Sequence, residues 1–219
     1  MNHSDGRDRT ATGPTLVCFA LKEEAAPFRK RLGARVGTIL LVTGMGRRNS
    51  RQRLLAVLRA TRPRRVFTCG FAGGLNPGFA TGQVLFHTSD AELTGLLAAT
   101  GAVPATFTCA DRIAITRAEK QGLYAATRAD AVEMESAEIH SICRERQIPC
   151  ATVRVISDPA DEELPLDFNQ LSHPDHRLHY GRLVWAVLKS PGVIPALLQL
   201  QAKTKRAAMR LAAVLMQVV

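Results

Sequence analysis

Three times in the first half of the chain a short apolar run ends in a cluster of glycines or charges, and a helical pattern or turn follows. The runs are residues 15–21 (TLVCFAL), 38–43 (TILLVT) and 65–69 (RVFTC). They end in Lys22-Glu23-Glu24, Gly44-Met45-Gly46 and Gly70-Phe71-Ala72-Gly73-Gly74. Continuous apolar strands of this kind belong to sheets covered on both faces. Helical patterns at 25–32 and 51–61 supply the covers, and Pro63 stops the second. The alternation predicts an α/β sheet, with a ligand crevice along the edge where the strands end. Further strands are expected at 83–87, 105–109 and 150–156, and helices at 89–100 and through Ile139, Ile142 and Cys143, whose spacing is helical. Residues 117–128 read as helical or irregular.

The densest polar chemistry lies in residues 131–161. Residues 132–135 alternate apolar and acidic, so Glu133 and Glu135 share one face if that segment is extended. Two carboxylates so placed are costly without a ligand, water or cation between them, and as a pair they can grip the two hydroxyls of a ribose. Asp158 follows the 150–156 run. At the end of a buried strand its carboxyl would be desolvated and could act as a general acid. Arg154, four residues earlier on the same face, can hold its position or its charge. Ser157-Asp158-Pro159 also fits a plain turn or helix cap.

Two glycine clusters admit two readings each. Gly70 to Leu75 lets backbone N–H groups come close to a ligand, or is only a tight connection. Gly46, Arg47 and Arg48 could hold phosphate between amides and guanidinium groups, or begin an exposed basic helix. Neither cluster is G-x-G-x-x-G, and no G-K-[ST] follows, so dinucleotide and P-loop folds are poorly supported.

A chain of 219 residues is one domain with room for a sizeable core. The net charge of +10 favours anionic partners. No Asp or Glu occurs after Asp175, and the apolar, basic patterns at 178–189 and 194–219 are separated by Ser190-Pro191-Gly192. Nucleic acid is not expected, because aromatics are few and the basic residues gather in that helical tail. The five cysteines have no C-x-x-C spacing and read as reduced core residues. Scattered histidines, including His173, His176 and His179, give no metal site. Residues 1–14 carry no apolar segment and read as a disordered lead-in, not a targeting signal. No membrane span is expected.

Taken together, the motifs resemble the nucleoside phosphorylase and nucleosidase family, which includes methylthioadenosine/S-adenosylhomocysteine nucleosidase. The motifs are A-L-K-E-E (20–24), T-G-M-G (43–46), C-G-F-A-G-G-L (69–75), A-V-E-M-E-S-A (131–137) and V-R-V-I-S-D (153–158), in order. The resemblance implies a single-domain three-layer α/β/α sandwich with a mixed central sheet. It implies that Glu24 positions the attacking water and that Phe71, Ala72 and Gly73 line the base and ribose pocket. Met134 would pack under the ribose, Glu135 would bind its hydroxyls, and Glu133 would be structural. Asp158 would protonate a purine ring nitrogen with Ser157 and Arg154 in support, and Phe168 would close the pocket. Where the family usually has G-D-x-F this chain has Ala110-Asp111-Arg112-Ile113, so Ile113 replaces a stacking aromatic. The region between Phe86 and Thr108 is short. Thr68 stands where phosphorylases carry an Arg, although Arg47 and Arg48 could supply phosphate charge.

The L-K-S-P-G-V-I-P-A-L-L-Q-L run and the basic helix after it are similar to the hopanoid-associated branch, which is assigned to adenine release from adenosylhopane. The expectation is a cytoplasmic enzyme, a homodimer, that cleaves a 5′-substituted adenosine without metal or organic cofactor. Inorganic phosphate is left open as co-substrate, and 178–219 is left to pack on the domain or to touch the inner face of the membrane.

Overall fold

The computed structural model describes residues 13–170 and 191–219. Most of the lead-in, the 178–189 helical pattern and the spaced histidines lie outside the described residues. Gly13 and Pro14 are described, and the Pro14 carbonyl accepts from Arg64 N–H at 3.0 Å.

The strands are β1 (Thr15–Phe19), β2 (Thr38–Val42), β3 (Arg65–Gly74), β4 (Val84–Thr88), β5 (Val103–Pro104), β6 (Phe107–Cys109), β7 (Ala131–Glu133) and β8 (Cys150–Asp158). The helices are α1 (Lys22–Leu32), α2 (Arg47–Ala60), α3 (Ala91–Ala98), α4 (Arg117–Thr127), α5 (Ser136–Glu145) and α6 (Ile194–Val218). The main path of the sheet runs β2-β1-β3-β8-β4-β5, with β7 paired to β3 and β6 to β7. β1, β2, β3 and β8 are parallel, while β4 runs antiparallel to β8 and β7 antiparallel to β3, so the sheet is mixed.

The period of two assigns the layers. Val17 and Phe19 of β1 point into one cluster with Ala25 and Phe28 of α1, Leu93 and Leu97 of α3, and Leu211 and Leu215 of α6. Leu16 and Cys18, between them, point into the opposite cluster with Leu54 of α2 and Ile139, Ile142 and Cys143 of α5. A strand apolar on both faces therefore has helices on both sides, which is the expected three-layer α/β/α arrangement. Each buried Leu, Ile or Phe contributes roughly 1.5–3 kcal/mol by leaving water.

One expectation is corrected and another is narrowed. The glycine motif does not loop out: β3 continues as strand through Gly74. Of the two placements left open for the tail, its described C-terminal part takes the first and packs on the domain. Ala207, Leu211, Ala212, Leu215 and Val218 of α6 are buried in the same cluster as β1, β3 and β8. The N-terminal part of α6 is more open, with Ile194 and Leu198 exposed.

A carboxylate-rich candidate active site

The C-terminal ends of β1, β3 and β8 open on one cavity. Its lining includes Glu24, Met45, Phe71, Ala72, Gly73, Ile113, Glu133, Met134, Glu135, Ser157, Asp158, Leu164, Leu200 and Thr204. Glu24, Glu133, Glu135 and Asp158 are all buried. Each needs local compensation, because an uncompensated buried charge costs several kcal/mol.

Glu24 sits in the first turn of α1. One carboxylate oxygen accepts from the Leu21 N–H and the other from the Phe71 N–H, both at 2.9 Å. Burial raises its pKa to about 7, against the pull of those N–H donors and of Arg154. It therefore changes charge near neutrality, as a water-activating base requires.

Arg154 lies behind the cavity wall and holds the next two carboxylates. Its Nη2 donates to Glu133 Oε2 at 2.5 Å and to Glu135 Oε2 at 3.2 Å, while Nη1 donates to the Cys69 carbonyl at 3.2 Å. Gly70 makes this approach feasible. A Cβ there would stand 2.7 Å from Arg154 Nη1 and 2.8 Å from Glu24 Oε1.

Glu133 also accepts from the N–H groups of Glu135 and Ser136, at 3.0 and 2.8 Å, from Ser136 Oγ at 2.7 Å and from the Cys109 thiol. Burial works against its charge, but Arg154 and these donors outweigh burial and hold its pKa below the usual value. Glu135 is less well served. Burial and the nearby Glu133 charge raise its pKa despite Arg154 and a 3.0 Å bond from the Gly46 N–H.

Asp158 ends β8. Between Ala72/Ile156 and Gly73/Asp158 the register slips, so that Ser157 is the extra residue of a β-bulge. The bulge breaks the alternation of faces, and both Ser157 and Asp158 reach the cavity. Ser157 Oγ donates to Asp158 Oδ1 at 2.5 Å, and Lys120 Nζ lies 2.6 Å from Oδ2. Burial raises the Asp158 pKa and Glu162 adds to the rise, while Lys120 and Ser157 oppose it.

The structure therefore gathers Glu24, Phe71, Ala72, Gly73, Ile113, Met134, Glu135, Ser157 and Asp158 around one space. Others it places elsewhere. Arg154 serves Glu133 and Glu135, not Asp158, because the bulge turns Asp158 away from the Arg154 alternation. Glu133 and Glu135 do not share a pleat: β7 stops at Glu133, and Glu135 stands at the start of α5 with φ −125° and ψ −30°. Phe168, Gly46, Arg47 and Arg48 are not among the described residues that line the cavity. The Gly46 N–H is taken by Glu135, and Arg47 points to the Cys109 carbonyl and Asp111. The described residues include no group of His, Cys, Asp and Glu able to hold a metal ion.

Sequence reasoning missed Leu164, Leu200 and Thr204 of the cavity lining, and it missed Lys120. Lys120 lies three and four positions before Leu123 and Tyr124, on the face of α4 that packs inward. A lysine on the apolar side of an amphipathic helix was the available signal.

Residues 90–189 match the model of the phosphorylase superfamily. A 5′-methylthioadenosine/S-adenosylhomocysteine nucleosidase of Glaesserella parasuis is 31% identical over 165 residues, covering 60% of this chain and 72% of that protein. The chain belongs to the phosphorylase superfamily. It is an enzyme of that group, with the fold expected for it. The futalosine hydrolase of Helicobacter pylori superimposes with a TM-score of 0.70 at 16% identity, covering 94% of this chain and 96% of that one. The 5′-methylthioadenosine/S-adenosylhomocysteine nucleosidase of Neisseria meningitidis, in complex with methylthio-immucillin-A, gives 0.70 at 18% identity, with 94% and 98% covered.

Proposed function

We propose that this protein cleaves the N-glycosidic bond of a 5′-substituted adenosine and releases adenine. The observation that carries the reading is the placement of Glu24, Glu135 and Asp158 around one cavity walled by Phe71, Ala72 and Gly73. Asp158 protonates a ring nitrogen of the base, which makes adenine a better leaving group. Met134 and Glu135 hold the ribose, and the Glu135 carboxylate stabilises the positive charge that develops on the sugar. Glu24 takes a proton from the water that attacks the anomeric carbon.

Water is the favoured nucleophile. The cavity lining carries four carboxylates, and Arg112 is the sole cationic side chain among its described lining residues. Phosphate would meet like charge there. Arg47 and Arg48 remain the groups that a phosphate route would need.

The 5′ substituent is apolar in this reading. Ile113, Leu164 and Leu200 border the cavity, and α6 continues from Leu200 to the exposed Leu198 and Ile194. An adenosylhopane-type lipid nucleoside fits that path. Contact with an anionic membrane then falls to the N-terminal part of α6, next to Lys205 and Arg206. Among the described residues no helix is long and apolar enough to cross a membrane. A homodimer belongs to the same proposal, and light scattering checks it.

The deciding experiment is adenine release from methylthioadenosine and from an adenosyl lipid, each with and without phosphate. Activity is expected without phosphate and is expected to fall in Asp158→Ala and Glu135→Ala. Undiminished release by both variants would sink the assignment. Turnover of methylthioadenosine alone would favour the soluble-nucleoside alternative, and vesicle binding without turnover would favour a non-catalytic membrane module.

A further inference from the structure

Lys120 is the only lysine among the buried polar residues described, and its side chain is 0% exposed. Nζ lies 2.6 Å from Asp158 Oδ2, 2.8 Å from the Pro159 carbonyl and 2.7 Å from the Glu162 carbonyl. An ammonium has three donors and no acceptor, and here three acceptors meet it. Lys120 does not line the cavity, so whatever it does for a ligand passes through Asp158.

The pair is fixed from several sides. Thr116 and Glu119 form a capping box that sets the start of α4 at Arg117, three residues before Lys120. Lys203 of α6 binds both oxygens of Glu162, at 2.8 and 2.7 Å, and so braces the turn whose carbonyl holds Lys120. The groups that face Asp158 are Lys120 from α4, Glu162 from the following turn (paired with Lys203), and Ser157 from its own strand. β3 presents only Gly73, where a Cβ would stand 3.4 Å from Asp158 Oδ2.

We propose that Lys120 is the positioning residue of the acid: it receives the carboxylate that Asp158 becomes when its proton passes to the purine. In that step the O–H bond of the Asp158 carboxyl breaks, and an N–H bond forms on the purine ring nitrogen. The electron pair stays on Asp158, facing the ammonium. Water is excluded from that side of Asp158, so the ammonium does the work that solvation does for an exposed acid. Burial raises the Asp158 pKa and the Lys120 charge opposes that rise. The inference rests on the base-protonating reading of Asp158.

The test has one arm that needs no substrate. The carboxyl of Asp158 is titrated by carbon NMR in ligand-free protein and assigned with Asp158→Asn. The wild type, Lys120→Met and Lys120→Arg are compared, and the pH profile of kcat/KM for adenine release is measured in parallel. In Lys120→Met the Asp158 titration and the alkaline limb are expected to move up together by about 1 to 3 pH units, with kcat reduced at least tenfold. Lys120→Arg is expected to return both toward wild type. A purely structural clamp would lower activity equally at every pH and leave the titration in place, and that result overturns the proposal. Should Lys120→Met not fold, nitrogen NMR of the wild type decides. A slowly exchanging Lys120 Nζ signal that shifts as Asp158 titrates supports the pairing, and an Nζ signal indifferent to that titration refutes it. If no nucleoside is turned over while the titration still moves, the adenine-release reading has failed and the pairing stands.

Discussion

Arg154 and Lys120 are both buried cations serving carboxylates at the same cavity, and they solve different problems. Arg154 is a planar fork with two carboxylates to satisfy, Glu133 and Glu135. Lys120 is a compact point charge with one carboxylate and two carbonyls. The Arg154 set keeps an excess of negative charge when both glutamates are ionised, which under the proposed function suits a wall that would receive hydroxyl donors and a cationic sugar. The Lys120 set is balanced one to one, which suits the acid role proposed for Asp158. Arg154 reaches both glutamates through Nη2 while Nη1 holds the Cys69 carbonyl, whereas the three donors of the Lys120 ammonium converge on one carboxylate and two carbonyls.

Breaking the Arg154 set should have the largest effect. Arg154→Met leaves two buried glutamates sharing no cation, and a loss of about 3–5 kcal/mol in denaturant unfolding is expected, together with all adenine release. Next in size is Asp158→Asn. It should lower kcat by about 10²- to 10⁴-fold with folding retained, as measured by steady-state kinetics and thermal unfolding.

The two glutamates under Arg154 should then separate. Glu133→Gln removes the better-paired partner and should lower stability by about 2 kcal/mol. Glu135→Gln removes the strained one and should leave Tm unchanged or raised while turnover falls. Parallel melts of the two variants check this.

Glu24 supplies the pH arm. Its folded pKa of about 7 lies above its ordinary value of 4.5, so the native state binds the extra proton. Its contribution to stability is therefore fully present at low pH and is lost as pH rises from about 4.5 to 7, by up to roughly 3 kcal/mol. Activity that needs Glu24 as a base should move the other way and rise through about pH 7. Glu24→Gln should flatten both trends. The smallest effect is expected at the exposed Arg51–Glu138 pair, where Arg51→Ala should leave both Tm and turnover unchanged.

The layers and most of the cavity were legible because they rest on periodicity and on strand ends. Leu16, Val17, Cys18 and Phe19 alternate between two cores because a strand has no other way to place them. What escaped was local. Four alternating residues at 132–135 looked extended, yet Glu133 Oε2 accepts from the N–H groups of Glu135 and Ser136 and turns the chain into α5. Arg154 and Asp158 looked like partners on one face until the bulge at Ser157 took Asp158 off that alternation. A bulge depends on the register of two strands, which no single stretch of sequence records. Lys120 escaped because its partners lie at Asp158, Pro159 and Glu162, remote in sequence from α4.

One helix carries two unequal obligations. From Ala207 to Val218, α6 is fastened into the core, where small changes in volume are felt. From Ile194 to Thr204 it is largely open, and Leu200 and Thr204 border the cavity. Substitutions in its first turns can therefore be tried without endangering the scaffold. Under the proposed function this gives the enzyme an adjustable threshold for the far end of its substrate. A library randomised at Leu200 and Thr204 would explore new substrates while the carboxylates and their two cations stay where they are.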